Sequence, residues 1–169
     1  MAIGKYFVAQ FRWSKTVWVI SILTTLLLIG SGFIYLLIPE AVIGWERFLL
    51  MFLVLPLPAI LFCTSPRYLY LYGNQLVVKR WVGSVTISTL DIISIEEADR
   101  WTVMRSTRSM GNGGMFGYYG YFHNRKYGKF RMFASEMSNL YFIRTIKSNY
   151  VISCSNRELI AELQERLQK

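Results

Sequence analysis

The sequence predicts an α+β membrane protein in which two transmembrane helices precede a mainly antiparallel β-barrel that is capped by a C-terminal α-helix. Three observations lead to this prediction: two long charge-free runs in the first 66 residues, short alternating apolar segments from residue 67 onwards, and an amphipathic C-terminal segment. The composition agrees, because 53% of the 169 residues are hydrophobic and only 17% are charged. Such a balance is unusually apolar for a soluble domain.

The two charge-free runs cover residues 16–39 and 48–66. A helix of about 20 residues crosses roughly 30 Å of hydrocarbon, so both runs are long enough to span a membrane. Two buried core helices of this length would need a larger soluble protein around them than the rest of the chain provides. A cleaved signal peptide is disfavoured, because the first run exceeds the usual apolar core of about 7–15 residues. Pro56 and Pro58 predict a kink in the second helix, with a re-entrant segment as the alternative.

The basic residues predict the orientation of this helical hairpin. Residues 1–15 hold three basic side chains and no acidic one, whereas the connection at 40–47 holds two glutamates against one arginine. Positively charged ends stay in the cytoplasm, so both termini are expected there. The expected location is the cell (inner) membrane, with residues 1–15 as a cytosolic juxtamembrane segment.

Residues 67–169 change to a different pattern. Short β-branched and aromatic runs alternate with Gly, Asn, Ser and Lys, and Gly73-Asn74 predicts a tight hairpin turn. The predicted strands lie at 66–72, 75–82, 85–88, 90–98, 118–122, 129–133, 140–145 and 150–153. Such spacing is typical of an antiparallel barrel or sandwich. A helix is predicted over 156–168, with Ser155 and Glu158 as a capping box. One face of this helix is apolar and is expected to cover the barrel mouth; its residues are Leu159, Ile160, Leu163 and Leu167.

Four segments of the sequence resemble those of a known domain family: ISTLDIISIE at 87–96, GNGGMFGYYGYF at 111–122, YGKFRMFAS at 127–135 and YVIS at 150–153. Together with the closing helix, they resemble the bacterial pleckstrin-homology-like (PH-like) domains. The resemblance covers residues 67–169 and implies a strongly bent, seven-stranded barrel that is capped by the C-terminal helix, with a membrane hairpin as a frequent companion. The segment CSN after YVIS departs from it, because a proline-containing turn is expected there.

The sequence contains few candidate catalytic residues. His123 is the only histidine, so a histidine-based triad or a multi-histidine metal site has one possible member. We interpret His123 as a turn or surface residue. Glu96, Glu97 and Asp99 are interpreted as a solvated strand edge. The glycines do not make a phosphate loop, because aromatic residues follow where a helix should begin and Phe130 follows Gly128-Lys129. They are interpreted instead as a sharp turn or bulge at a bend of the sheet. The chain is therefore expected to be no enzyme and to hold no cofactor or metal.

The segment from Arg100 to Arg131 is strongly basic, with seven basic residues and no acidic one, in a chain of net charge +9. Anionic lipid headgroups or a protein partner are the expected ligands, and plain solvation is the alternative. The uncharged first hairpin turn gives no support for inositol-lipid specificity, and nucleic acid is not expected. The candidate surface consists of Arg105, Arg108, Arg125, Lys126, Lys129 and Arg131.

These features predict a membrane-anchored, non-catalytic interaction or assembly module. It would dock a protein partner, further copies of itself or an anionic lipid surface. The alternative is an accessory subunit of a membrane enzyme or transporter complex. The predicted spans contain no ionisable acid or base, which argues against a transport path through them.

Overall fold

The structure, a computed structural model, describes residues 6–37, 49 and 52–167; for residues 35–37 it describes the backbone alone. The helices are α1 (Lys15–Leu37), α2 (Leu57–Thr64), α3 (Arg100–Met104) and α4 (Arg157–Leu167). The strands are β1 (Phe7–Gln10), β2 (Pro66–Tyr72), β3 (Gln75–Arg80), β4 (Ser84–Ser88), β5 (Ile92–Glu97), β6 (Thr107–Gly114), β7 (Gly117–Asn124), β8 (Gly128–Ala134), β9 (Leu140–Thr145) and β10 (Asn149–Ser153). A 3-10 turn at Thr89–Asp91 joins β4 to β5.

One helix of the described residues is long and apolar enough to cross a membrane, namely Lys15–Ile34 within α1. The prediction of two such helices is therefore wrong for the second run, where the apolar helical segment Phe52–Thr64 is shorter. A turn at Leu55 and Pro56 divides this segment, because proline lacks the N–H that would continue the helix. Residues 38–48 lie outside the described residues. They include the connection at 40–47, which is expected to face away from the cytoplasm.

The two apolar segments lie side by side in opposite directions. Near the end of α1, a Cβ on Gly32 would stand 3.4 Å from the Leu55 side chain. Near its start, the Trp13 ring lies 6.1 Å from the ring of Phe62 in α2. Most large apolar side chains of α1 face outward, with Leu27 72% exposed. Neither segment is therefore a core helix of the β-sheets.

The strands form two sheets that do not close into a barrel, which corrects the predicted seven-stranded barrel. The first sheet has the order β1-β2-β3-β4, and the second has the order β5-β9-β10-β8-β7-β6. All pairs are antiparallel except β8 with β10. The sheets stay open because the 3-10 turn carries the chain from one sheet to the other, while the edge strand β6 turns towards α1. The mainly antiparallel α+β class is confirmed.

Strand β1 was not predicted, since residues 1–15 were expected to be a juxtamembrane segment. In the structure Phe7–Gln10 pairs with β2, and Ala9 and Phe11 are buried in the core between the sheets. The Phe11 N–H donates to the Arg67 carbonyl at 3.0 Å, which joins the start of α1 to the end of α2. The segment before the first apolar helix is thus part of the β-sheet structure.

The core has two parts, one on each face of the second sheet. The first lies between the sheets and under α4, and includes Leu69, Leu76 and Ile143. The second lies on the opposite face, where Val103 of α3 packs on Phe122 and Phe142. Because both faces of this sheet are covered, β8 and β9 have almost continuous buried runs instead of a strict alternation.

Helix α4 packs as its sequence predicts. Leu159, Ile160 and Leu163 are buried, and Leu167 packs at the edge of the same core. The predicted capping box is wrong. The Asn156 side chain accepts the N–H groups of Glu158 and Leu159, because its carbonyl oxygen lies one residue closer to the helix than the Ser155 hydroxyl.

We predict that Leu163→Asp in the full chain lowers the free energy of unfolding by about 3 kcal/mol or more, because an unpaired charge would enter the core. Thermal unfolding followed by circular dichroism in detergent measures this change. Gln164→Asp is the matched control, because Gln164 is the exposed next residue of the helix. Equal melting temperatures for the two variants would contradict the packing of α4 on this core.

Candidate functional site at the junction of helices and sheets

The glycine-rich segment forms the β6–β7 hairpin, in which Gly111 lies directly opposite Gly120. A Cβ on Gly111 would stand 2.3 Å from the Tyr119 carbonyl oxygen, and one on Gly120 would stand 2.3 Å from the Met110 carbonyl oxygen. Both residues have a φ that L side chains rarely adopt, 139° and 126°. Only glycine is compatible with this approach of the two strands. The expected turn or bulge is therefore a pair of closely packed strands, with a bulge only between Arg108 and Met110.

The tip of this hairpin contacts α1. The Phe116 N–H donates to the Ser21 hydroxyl at 2.7 Å, and that hydroxyl donates to the Val17 carbonyl at 2.6 Å. Ser21 and Val17 are both buried. Phe116 adopts a left-handed φ of 58°, which turns its N–H towards the helix. Ser21 lies six residues into α1 after Lys15, or roughly 9 Å along the axis, so the tip lies beside the apolar helix.

Tyr119 joins the same hairpin to α2. Its hydroxyl donates to the Leu61 carbonyl at 2.5 Å and accepts from the Asn112 amide at 3.2 Å. Leu61 is among the last four residues of α2, whose carbonyls have no N–H partner within a helix. Thr64 also donates to this carbonyl, at 3.1 Å. Burial raises the pKa of the Tyr119 phenol, so the hydroxyl remains a donor at neutral pH.

Aromatic rings surround the junction. Phe62 contacts three others, with centroid distances of 4.8 Å to Trp81, 5.4 Å to Phe116 and 6.1 Å to Trp13. Trp13 also lies 5.3 Å from Trp18 of α1. Rings at these distances attract one another, and tryptophan is enriched where a protein passes from hydrocarbon to water. We call these five residues the aromatic collar.

The six predicted surface residues do not lie on one face. Four are near the end of β7 that is farthest from the hairpin tip. Arg125 and Lys126 form the β7–β8 turn, and Lys129 follows at the start of β8, opposite His123. Arg105 ends α3, which lies beside this turn because the Asn124 amide bonds to the Thr102 carbonyl and the Ser106 hydroxyl. We call Arg105, Arg125, Lys126 and Lys129 the distal basic group.

The other two predicted residues have separate surroundings. Arg131 is half-buried on β8, with its guanidinium 5.4 Å from the Tyr121 ring and 5.0 Å from the Phe133 ring. Arg108 lies on β6, and one of its nitrogens is 2.7 Å from where a Cβ of Gly113 would stand. Within the described part of the chain, none of the six forms an ion pair.

Among the remaining polar candidates, Asp99 has structural partners. It was expected on a solvated edge, but it is the N-cap of α3 and accepts the Thr102 hydroxyl at 2.6 Å and the Thr102 N–H at 2.8 Å. The bond from the hydroxyl, followed by the bond from the N–H, lowers the pKa of its carboxyl group. His123 and Glu97 are exposed. Among the described residues, no three His, Cys, Asp or Glu side chains are grouped to hold a metal ion.

Sequence reasoning missed the residues that hold the junction together, above all Ser21, Asn112 and Tyr119. A signal was available for Ser21, since small hydroxyl residues in apolar helices commonly mark contact faces. No comparable signal separates Tyr119 from Tyr118 and Tyr121, because their contacts depend on the face of β7 that each occupies and on its distance from the hairpin tip.

We predict that Tyr119→Phe in the full chain lowers the free energy of unfolding by about 1–2 kcal/mol, because the Leu61 carbonyl and the Asn112 amide lose a buried partner. Thermal or denaturant unfolding in detergent measures the loss. Tyr121→Phe is the matched control, since Tyr121 is exposed on the same strand and face. A Tyr119→Phe variant as stable as the control would show that the hydroxyl does not fasten β7 to α2.

Comparison with known proteins identifies the family of the sheet domain. The family described as Bacterial PH domain matches residues 67–167, which is more than half of the 169 residues. Neither the curated proteins nor the solved structures give a significant match to the chain. PH-like domains are in general non-catalytic interaction modules. The resemblance noted in the sequence is thereby confirmed, and the chain belongs to the bacterial PH domain family.

Proposed function

We propose that this protein is a membrane-anchored, non-catalytic interaction module, with its PH domain fixed to the anchor at one end and docking a partner at the other. The observation that carries the proposal is the junction itself. Apolar helices with outward-facing leucines, isoleucines and phenylalanines are hydrogen-bonded to the PH domain through Ser21 and Tyr119. Side chains of this kind are stable in lipid and unfavourable in water.

The placement of β1 supports an anchor over a cleaved leader. A signal sequence near the N-terminus can also form a long apolar helix. Its removal would also remove Ala9 and Phe11 from the core and leave the edge of β2 unpaired. The aromatic collar lies where α1 and α2 meet the sheets, as expected for the membrane–water interface.

The proposed location is the cell inner membrane, with both termini in the cytoplasm. Arg12 precedes α1, Lys15 begins it and Arg67 follows α2, and all three are exposed on the same side of the helices as the PH domain. In this arrangement α1, about 34 Å long by its 23 residues, crosses the bilayer. The second apolar segment returns beside it, with its break at Leu55 and Pro56.

The distal basic group is the proposed docking site for an acidic protein partner. Strand β7 has eight residues, so its far end lies roughly 23 Å along the strand from the end that contacts the helices. Electrostatic attraction to the anchoring bilayer falls off over about 8–10 Å at physiological salt. If β7 runs away from the bilayer, as the proposal has it, charges at its far end are better placed for a protein than for this membrane.

We predict that a reporter active only outside the cytoplasm is inactive when fused after Lys169, because the basic residues flank the helices on the PH-domain side. The same reporter inserted after Val42, in the predicted outer loop, is the positive control and is expected to be active. Activity after Lys169 would place the PH domain outside and contradict the proposed location.

We also predict that a photo-reactive residue at position 126, in cells, cross-links to a discrete protein, and that Arg105→Glu with Arg125→Glu abolishes the adduct. Reversing two charges opposes an acidic surface without touching the core, since both side chains are exposed. Position 147 is the control, because Lys147 is exposed elsewhere and paired with Asp91 at 3.5 Å. A lipid adduct, or a protein adduct that survives the reversal, would contradict docking by the distal basic group.

A further inference from the structure

An open cleft of about 390 Å³ lies at the junction, beside the start of α1. The end of β1 and the residues that follow it form one wall of the cleft. The other walls are formed by Trp18 of α1, the start of β2 and Trp81, which follows β3. The lining residues are Gln10, Phe11, Arg12, Trp13, Trp18, Pro66, Arg67 and Trp81. None of them is acidic, and the sequence holds no acidic residue in 1–39 or 47–90. The cleft therefore presents two cations without an internal counter-charge.

The Arg67 guanidinium is positioned by two aromatic rings. It lies 4.1 Å from the Trp81 ring centroid and 5.0 Å from the Tyr68 ring centroid. Stacking on rings fixes the guanidinium plane and leaves its N–H groups free at the edge, where they match the oxygens of a phosphate. Arg12 lines the same cleft and is exposed.

A second, apolar groove of about 260 Å³ lies next to this cleft along α1. Trp13 and Trp18 line both spaces. The groove runs past Ile22 and Leu26 on one side and Phe116 of the hairpin tip on the other. A ligand that fills both spaces must be anionic at one end and apolar at the other.

We propose that the cleft and groove bind one anionic phospholipid, with its headgroup phosphate held by Arg12 and Arg67 and one acyl chain in the groove along α1. The inference rests on the proposed membrane anchor, because only then is the groove bathed in lipid. A free phosphate would leave the groove empty, and an acidic peptide would have no apolar chain to place there. The lipid would join α1, β2 and the hairpin tip at the level of the aromatic collar.

The test is lipid retention by the full chain, extracted in mild detergent and measured by native mass spectrometry. Phosphatidylglycerol is compared with phosphatidylcholine of the same acyl chains. The parent is expected to retain the anionic lipid, and Arg12→Gln with Arg67→Gln is expected to weaken retention by about tenfold or more, since each cation near a membrane surface contributes on the order of a fivefold gain. Arg144→Gln with Lys147→Gln is the control, because it removes the same charge from two exposed residues of the β9–β10 hairpin, which lies beside the start of β8.

Two further measurements keep the outcomes separate. Circular dichroism melting shows whether each variant folds, and Arg67→Lys, which keeps the charge but loses the planar edge, is expected to give an intermediate loss. Equal retention of both lipids, equal loss in the control pair, or displacement by soluble glycerol phosphate at similar concentration would each overturn the inference. A parent that resists alkaline extraction from membranes yet retains no lipid overturns this inference alone. A parent released by alkali overturns the membrane anchor as well.

Discussion

The backbone contact between Gly111 and Gly120 is the constraint on which the junction depends. Each glycine occupies space that a side chain on the other would need, so the β6–β7 hairpin is narrow at this point. A narrow hairpin brings Phe116 and Tyr119 of the same strand-and-turn unit to two different helices. The glycine-rich segment therefore attaches the sheets to the helices. Its unusual composition follows from this packing and not from phosphate chemistry.

The attachment gives the PH domain two different ends. At the end that contacts the helices, aromatic rings and the arginines of the cleft lie beside exposed apolar helix faces, which suits a membrane–water boundary. At the other end of β7, four basic side chains surround a turn that is held to α3 by Asn124. Basic residues thus lie at both ends of β7, with Arg12 and Arg67 beside the helices and the distal basic group at the far turn.

Local patterns predicted most of the fold, because they depend on near neighbours. The apolar face of α4, the turn at Gly73 and the strands from β2 to β5 and β7 to β10 each have a clear period or turn signal. Strand β6 was missed because glycine is depleted in strands, and its glycines are explained only by their partners across β7. Strand β1 was missed because four residues carry little pattern and their partner strand lies beyond both apolar runs.

The candidate site was harder to predict than the fold. The six basic residues all lie within residues 105–131, but β7 separates them into the distal basic group and the inner positions of Arg108 and Arg131. The open arrangement of the two sheets also depends on contacts between residues far apart in sequence. It is set by the path of the chain through the 3-10 turn and by the position of the edge strand β6. Contacts such as Tyr119 with Leu61 join residues 58 positions apart, and no spacing rule identifies them.

The most direct test of the central claim is amide hydrogen exchange at Phe116, measured by NMR on the full chain in detergent micelles. If the hairpin tip is fastened to α1, the Phe116 N–H is protected by about a hundredfold or more relative to an exposed turn, and Ser21→Ala removes most of that protection. The Gly73 amide, in the exposed β2–β3 turn, serves as the internal reference. Exchange at Phe116 as fast as at Gly73 in the parent chain would contradict the attachment of the PH domain to α1.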